Sequence, residues 1–326
     1  MRSAAMRNLD RIVRAVATKD VGVTLVGESG SGKEILARRV HELSHRRAGP
    51  FIPINCAAIP DALFESELFG HEKGAFTGAS GRARGKVEAS HGGTLFLDEI
   101  GEMPLVAQAK LLRFLENRRF MRVGGTVKIT VDTRVVCATL RPLDQEVKAG
   151  QFRADLYYRI QGISLTVPPL RDRRADMGPL VTQLVAQLSA QHGTKPPKLS
   201  RAAMTALQGY AWPGNVRELR NVIELVSLLR AGRQVRVRDL PEVIRAVVPV
   251  DAGPAAVGGL EAEVVTVRLD RGLDDAVARI LRAALALEGG NRSRAAERLG
   301  ISLRTVQRHV ARDASIAHAE RRARRG

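Results

Sequence analysis

The chain has 326 residues, 44% hydrophobic and 26% charged, long enough for two or three domains with buried cores and too apolar for a disordered polyelectrolyte. Its formal net charge of +18 points to nucleic acid or another polyanion as a partner. No run approaches 18 uninterrupted apolar residues and the N-terminus lacks the apolar core of a secretory signal, so a membrane span is excluded and a cytoplasmic setting is expected. The two cysteines, Cys56 and Cys137, are flanked by apolar residues and read as small, reduced core residues.

In chain order, Val23 to Val26 is an apolar run of strand length, and Glu34 to Leu43 places Ile35, Leu36, Val40 and Leu43 at helical spacing. Further strands are predicted at Phe51 to Asn55, Thr94 to Asp98 and Thr133 to Thr139, with a helix at Pro104 to Asn117. This alternation implies an α/β domain with a parallel sheet. After Pro168-Pro169 the strand signals stop, and Ala175 to Leu188, Arg201 to Gln208 and Asn215 to Leu229 read as helices of a separate subdomain. Val247 to Gly259 is rich in Pro, Gly, Ala and Val without amphipathic period and reads as a linker.

Beyond it, helices are predicted at Leu273 to Leu287, Ser293 to Leu299 and Leu303 to Arg312, the last two joined through Gly300-Ile301-Ser302. That is helix-turn-helix spacing. Ala295, Ala296, Leu299, Ile301 and Val306 form its expected small core, Ser302 can cap the third helix, and Arg304, Thr305, Gln307, Arg308 and His309 are left to face outward. Residues 291–326 hold ten arginines against three acids, a net of +7 that predicts strong, salt-sensitive attraction to phosphates. The terminal run Glu320 to Arg325 reads as a disordered tail adding non-specific attraction.

Three segments carry chemistry. Gly27-Glu28-Ser29-Gly30-Ser31-Gly32-Lys33 fits the phosphate-binding loop G-x-x-x-x-G-K and stands between a predicted strand and helix. There the backbone N–H groups and the helix N-terminus can cradle phosphates while Lys33 reaches the β/γ-phosphates. Glu34 occupies the position where most such loops have a Ser or Thr to ligate magnesium. Thr94 to Glu99 is an apolar strand ending in two carboxylates, suited to hold magnesium through Asp98 and to polarise the attacking water through Glu99. Between these segments, Gly74-Ala75-Phe76-Thr77-Gly78-Ala79 is a glycine-bracketed loop whose Phe76 has no local core to enter, which suggests a partner.

Together these motifs resemble the bacterial enhancer-binding proteins, the AAA+ activators of sigma-54 RNA polymerase, from about Met6 to the C-terminal region. The likeness rests on Gly27 to Glu34, where that family also has Glu, on Glu67-Leu68-Phe69-Gly70-His71-Glu72-Lys73 running into the Gly74 to Ala79 loop, and on Trp212-Pro213-Gly214-Asn215-Val216-Arg217-Glu218-Leu219. Asn291 to Ser302 resembles the Fis-type DNA-binding domain that ends many such proteins.

The resemblance implies an AAA+ P-loop sheet over residues 1–168, a helical lid over 169–246, a linker over 247–266 and a small all-α helix-turn-helix domain with basic tail over 267–326. It implies ATP and Mg2+ as cofactors, with Gly27 to Glu34, Thr139 and Arg217 at the nucleotide and Asp98 at the metal. Asn55 would hold Glu99 away from water until the loop engages, and Arg153 and Arg159 would enter a neighbouring subunit's site in a ring that is usually a hexamer. Gly74 to Ala79 would contact the sigma factor through Phe76 and Thr77, and Arg292, Arg294, Ser302, Arg304, Thr305, Gln307, Arg308 and His309 would bind double-stranded DNA. Two departures are visible: Leu140 stands where the family has an Asn after Thr139, and Met1 to Asp20 leaves no room for a signal-receiving domain and cuts short the residues that pack near adenine. The alternative reading is a DNA-binding regulator or repressor with impaired remodelling, or a truncated remnant.

Overall fold

Five short runs of aliphatic and β-branched residues pair into one parallel sheet: β1 Val23–Val26, β2 Phe51–Asn55, β3 Thr94–Asp98, β4 Arg134–Thr139 and β5 Ile163–Thr166, in the order β2-β3-β4-β1-β5. The computed structural model describes residues 3–246, 273–301 and 306–307. Strand alternation sends Leu95, Leu97, Val135 and Cys137 to one face and Phe96, Val136 and Ala138 to the other, and each face is buried in its own apolar cluster. The helices Asp61–Phe69, Leu105–Asn117 and Ala154–Ile160 contribute to the first cluster, Ala4–Ala17 and Lys33–Glu42 to the second. The result is a three-layer doubly wound domain. Cys56 and Cys137 are both free and buried in it, and desolvation pushes the Cys137 thiol up to about 12.

Among the elements not foreseen from sequence are β5 and the helix Ala4–Ala17. β5 is an edge strand in which half-buried Ile163 and buried Leu165 alternate with exposed Ser164 and Thr166, so its apolar signal is weak. Helix Ala4–Ala17 is capped by Ser3 and closed at its far end by the buried Arg134 of β4, which donates to the Val16 and Ala17 carbonyls at 3.1 and 2.7 Å.

Helices Met177–Gln191, Arg201–Gly209 and Asn215–Leu229 pack around Trp212, which is fully buried and donates its indole N–H to the Leu207 carbonyl at 2.7 Å. Ala175 and Asp176, expected in the first of these helices, belong instead to a 3-10 segment, Leu170–Asp176, kinked at Arg173. One strand pairing follows Pro169 despite the predicted end of strand signals, between Lys198–Leu199 and Gln234–Val235.

The chain forms two compact units, Met1–Val250 and Asp251–Gly326. Helices Leu273–Leu287 and Arg292–Leu299 meet through Leu281, Leu285, Ala296 and Leu299, joined by the fully buried Val306. Asn291 accepts from the Ser293 and Arg294 amides to open the second helix, and left-handed Gly300 closes it. Ile301, expected in this core, is exposed. Most of the predicted third helix lies outside the described residues, as does the linker.

Candidate functional site

Parallel topology collects the chemical groups at one edge of the sheet, where the strands end. Register sets Asn55 beside Asp98 and Val26 beside Thr139, while the Gly27 amide donates to the Thr139 carbonyl at 3.2 Å. The loop after β1 leads into helix Lys33–Glu42, whose N-terminus opens at this edge. Lys33 is buried, and its ammonium donates to the Gly27 and Glu28 carbonyls at 2.9 and 3.4 Å and to Glu99 Oε1 at 3.3 Å. Burial, reinforced by the charge of Glu99, raises the Asp98 carboxyl above its ordinary range, with Lys33 opposing. Two crowded carboxylates of this kind are suited to gain a cation.

Glu99 is the most constrained of these groups. Its backbone is left-handed at φ 51°, its Oε1 meets Lys33, and its Oε2 accepts the main-chain N–H of Leu140 at 3.0 Å. Asn55 makes no hydrogen bond to it. The Asn55 carboxamide instead accepts from the Ala57 amide at 3.0 Å and caps the turn Cys56–Ala58.

The lid closes over the phosphate loop with a set of contacts that sequence reading missed. Glu28, expected at the nucleotide, is held by both terminal nitrogens of Arg171 at 2.5 and 2.9 Å and by Asn215 Nδ2 at 3.0 Å, which lower its carboxyl to about 2. Fully buried Asn215 also donates to the Ser29 carbonyl at 3.1 Å and accepts from the Leu170 amide at 2.8 Å. Arg217 Nη1 donates to Ser29 Oγ at 2.7 Å, and the Val216 amide to the Gly30 carbonyl at 2.9 Å. Buried Arg173 donates to the Ser31 carbonyl. Glu34 points away and pairs with Arg38 one turn along its helix.

Beside the loop lies a cavity of about 260 Å³, with Met6, Ile35, Leu36, Val167, Leu180 and Val216 on its apolar walls and Arg39, Arg173, Asp176 and Gln183 among its polar lining. Met6, from the N-terminal segment, forms part of its wall. The site also keeps an unspent donor, because Ser31 Oγ is buried without a partner.

The Gly74 to Ala79 loop is closed on itself by Gly74 N–H to Ala79 O at 2.9 Å and Ala79 N–H to Phe76 O at 3.0 Å. Phe76 is 39% exposed and rests edge-on against His71, with ring centroids 5.0 Å apart. The loop's base is held by Arg122, a buried guanidinium that grips Glu72 at 2.7 Å and Glu88 at 2.6 Å. Arg153 and Arg159 bond Asp155 and the Leu115 carbonyl, and neither bonds the phosphate loop of its own chain.

In the second unit, Arg292 and Arg294 are exposed on the helix Arg292–Leu299, and Gln307 is exposed. Ser302, Arg304, Thr305, Arg308 and His309 lie outside the described residues.

Three family models match this architecture in order: the sigma-54 interaction domain over residues 1–166, the AAA+ ATPase lid domain over 171–255 and the Fis family of bacterial regulatory proteins over 276–312. The chain belongs to the sigma-54-dependent transcriptional activators. It is 44% identical over 93% of its length to the regulatory protein AtoC of Escherichia coli, of which it covers 65%. It is 42% identical over 97% of its length to the transcriptional regulator NtrC of Azospirillum brasilense, of which it covers 69%. To the nitrogen fixation protein VnfA of Azotobacter vinelandii it is 43% identical over 91% of its length and 54% of that protein. Among solved structures, NtrX from Brucella abortus in complex with ATP superposes with a TM-score of 0.68 at 35% identity, covering 95% of this chain and 67% of NtrX. Among the described residues, no helix is long and apolar enough to cross a membrane.

Proposed function

We propose that this activator-family chain hydrolyses ATP and uses the cycle to drive the Gly74 to Ala79 loop against sigma-54 RNA polymerase, from a DNA site held by its helix-turn-helix unit. The observation that carries this reading is the convergence of Lys33, Asp98 and Glu99 at one sheet edge, beneath a lid that touches the phosphate loop. The residues fit a nucleotide: Ser31 Oγ is orphaned, Lys33 is satisfied only by carbonyls and a carboxylate that phosphates can replace, and the adjoining cavity is largely apolar with a few polar groups. Bound Mg2+ would neutralise phosphate charge, with Asp98 as the carboxylate that holds it.

Glu99 orients and polarises the attacking water, while Thr139 contacts the nucleotide and Arg217 senses the γ-phosphate. Arg153 and Arg159, unbound to their own phosphate loop, act on a neighbouring copy, which makes a ring, by family pattern a hexamer, the working form. Phe76 and Thr77 contact the sigma factor. Arg292, Arg294, Ser302, Arg304, Thr305, Gln307, Arg308 and His309 contact DNA. The boundaries 1–168, 169–246, 247–266 and 267–326 serve as working domain limits, and the setting is cytoplasmic.

The deciding experiment is ATP-dependent open-complex formation by the purified chain with sigma-54 polymerase. Opening that requires both ATP and Phe76 supports the reading; hydrolysis without opening refutes it. A persistent monomer or dimer with nucleotide, measured by light scattering, counts against arginines acting in trans.

A further inference from the structure

Leu140 stands where the family has an Asn, and a leucine side chain cannot hydrogen-bond as a carboxamide does. The structure shows what that position contributes instead. The Leu140 side chain is 50% exposed, whereas its main-chain N–H points at Glu99 Oε2 at 3.0 Å. The turn that aims this N–H is closed by its neighbour. Thr139 Oγ1 accepts from the Arg141 amide at 3.0 Å and donates to the Arg141 carbonyl at 3.1 Å, and the Arg141 guanidinium is tied to Glu102 at 2.6 Å and Glu146 at 3.3 Å.

Glu99 has two holds, and they differ in what a nucleotide does to them. Lys33 is the group that the phosphate-loop motif aims at the β/γ-phosphates, so an arriving phosphate competes with Glu99 for it. Once Lys33 turns, Glu99 loses its one cationic partner in this structure and faces the phosphate's negative charge, which repels a carboxylate. The Leu140 N–H is untouched by that exchange. It belongs to the backbone, so it is available whatever side chain the position carries.

We infer that the main-chain N–H of Leu140 is the positioning group that keeps Glu99 at the phosphate edge during hydrolysis, and that the Thr139–Arg141 turn sets its direction. The inference rests on the ATPase reading above and deepens it. It also makes Leu140 no loss: the position acts through its backbone.

The test replaces the Leu140 amide by an ester in the full chain, using the α-hydroxy analogue of leucine, alongside Leu140→Ala, Leu140→Asn and Leu140→Pro. Steady-state ATP hydrolysis is measured for each, with KM and kcat separated. The ester and Leu140→Pro should lose about tenfold or more in kcat with KM within about threefold, while Leu140→Ala and Leu140→Asn stay within about threefold of the unaltered chain in both. The ester covers the case in which proline fails to fold. An ester that keeps the original kcat overturns the assignment, as does an alanine variant that falls as far as the ester. A rise in KM matching the fall in kcat/KM would make the turn a wall of the nucleotide pocket and also overturn it. Absence of hydrolysis in the unaltered chain defeats the ATPase reading itself, an outcome separable from all of these.

Discussion

Asn215 offers the sharpest test of how the lid is held, because one buried carboxamide spans three elements. It accepts from the Leu170 amide at 2.8 Å and donates to Glu28 at 3.0 Å and to the Ser29 carbonyl at 3.1 Å, from a left-handed backbone at φ 52°. Replacing it with glycine keeps the backbone but removes all three hydrogen bonds, nominally about 3 kcal/mol at about 1 kcal/mol each. The Glu28 side chain is 37% exposed and regains water, so about 2 kcal/mol is expected. Alanine loses the same bonds and adds about 1 kcal/mol for a Cβ in left-handed conformation, so it should be the worse of the two. Trp212, the chain's single tryptophan, sits in the lid core and reports its unfolding by fluorescence in urea. If Asn215→Gly unfolds within about 0.5 kcal/mol of the unaltered chain, or if glycine is worse than alanine, the bridging account is wrong.

Two of three further predictions use the same fluorescence signal. Glu28 sits near 2 in the folded chain against 4.5 as a free group, so its contribution is present above 4.5 and lost as pH falls through about 2. Removing its largest partner with Arg171→Ala should flatten the loss of lid stability between these values; an unchanged pH profile would show that the pair contributes nothing. Arg122→Ala should destabilise the α/β domain by about 3 kcal/mol, at the low end for a broken buried pair because Glu72 keeps partial water, and Arg122→Lys should not restore the forked contact; both are read by tryptic cleavage at Lys73. Gly30→Ala should lower the lid's urea midpoint more than Gly32→Ala does, since a Cβ at Gly30 meets the Gly214 carbonyl at 2.4 Å whereas one at Gly32 meets nothing within 4 Å. Equal midpoints would remove lid approach as the constraint.

The sheet and its phosphate-loop edge were legible because their signals are local: a G-x-x-x-x-G-K loop between a strand and a helix, and an apolar strand ending in Asp98-Glu99. The lid contacts were not legible, since Glu28 meets Arg171 across 143 positions and Asn215 across 187. Nothing in spacing announces such partners. Asn55 shows a local contact instead: in this structure its side chain satisfies a donor two residues away, as a short carboxamide at a strand end can. Leu140 misled for another reason, because side-chain chemistry was read at a position whose hydrogen bond comes from the main chain.

Gly30 shows why the phosphate loop and the lid are linked features of this chain. Its φ of +71° is open to glycine and is part of the curl that turns loop N–H groups toward phosphate. At the same residue the Val216 amide donates to the Gly30 carbonyl, and a Cβ would strike the lid backbone at Gly214. Both partners belong to the Trp212 to Leu219 segment, where Trp212 and Asn215 are themselves left-handed. The two motifs are therefore complementary surfaces as well as separate signatures. A phosphate that reshapes the loop must act on Gly30, Ser29 and Glu28 together, and each is bonded to the lid. The phosphate loop is thereby joined to the lid by the Val216 amide at Gly30 and by the side chains of Arg171, Asn215 and Arg217 at Glu28 and Ser29.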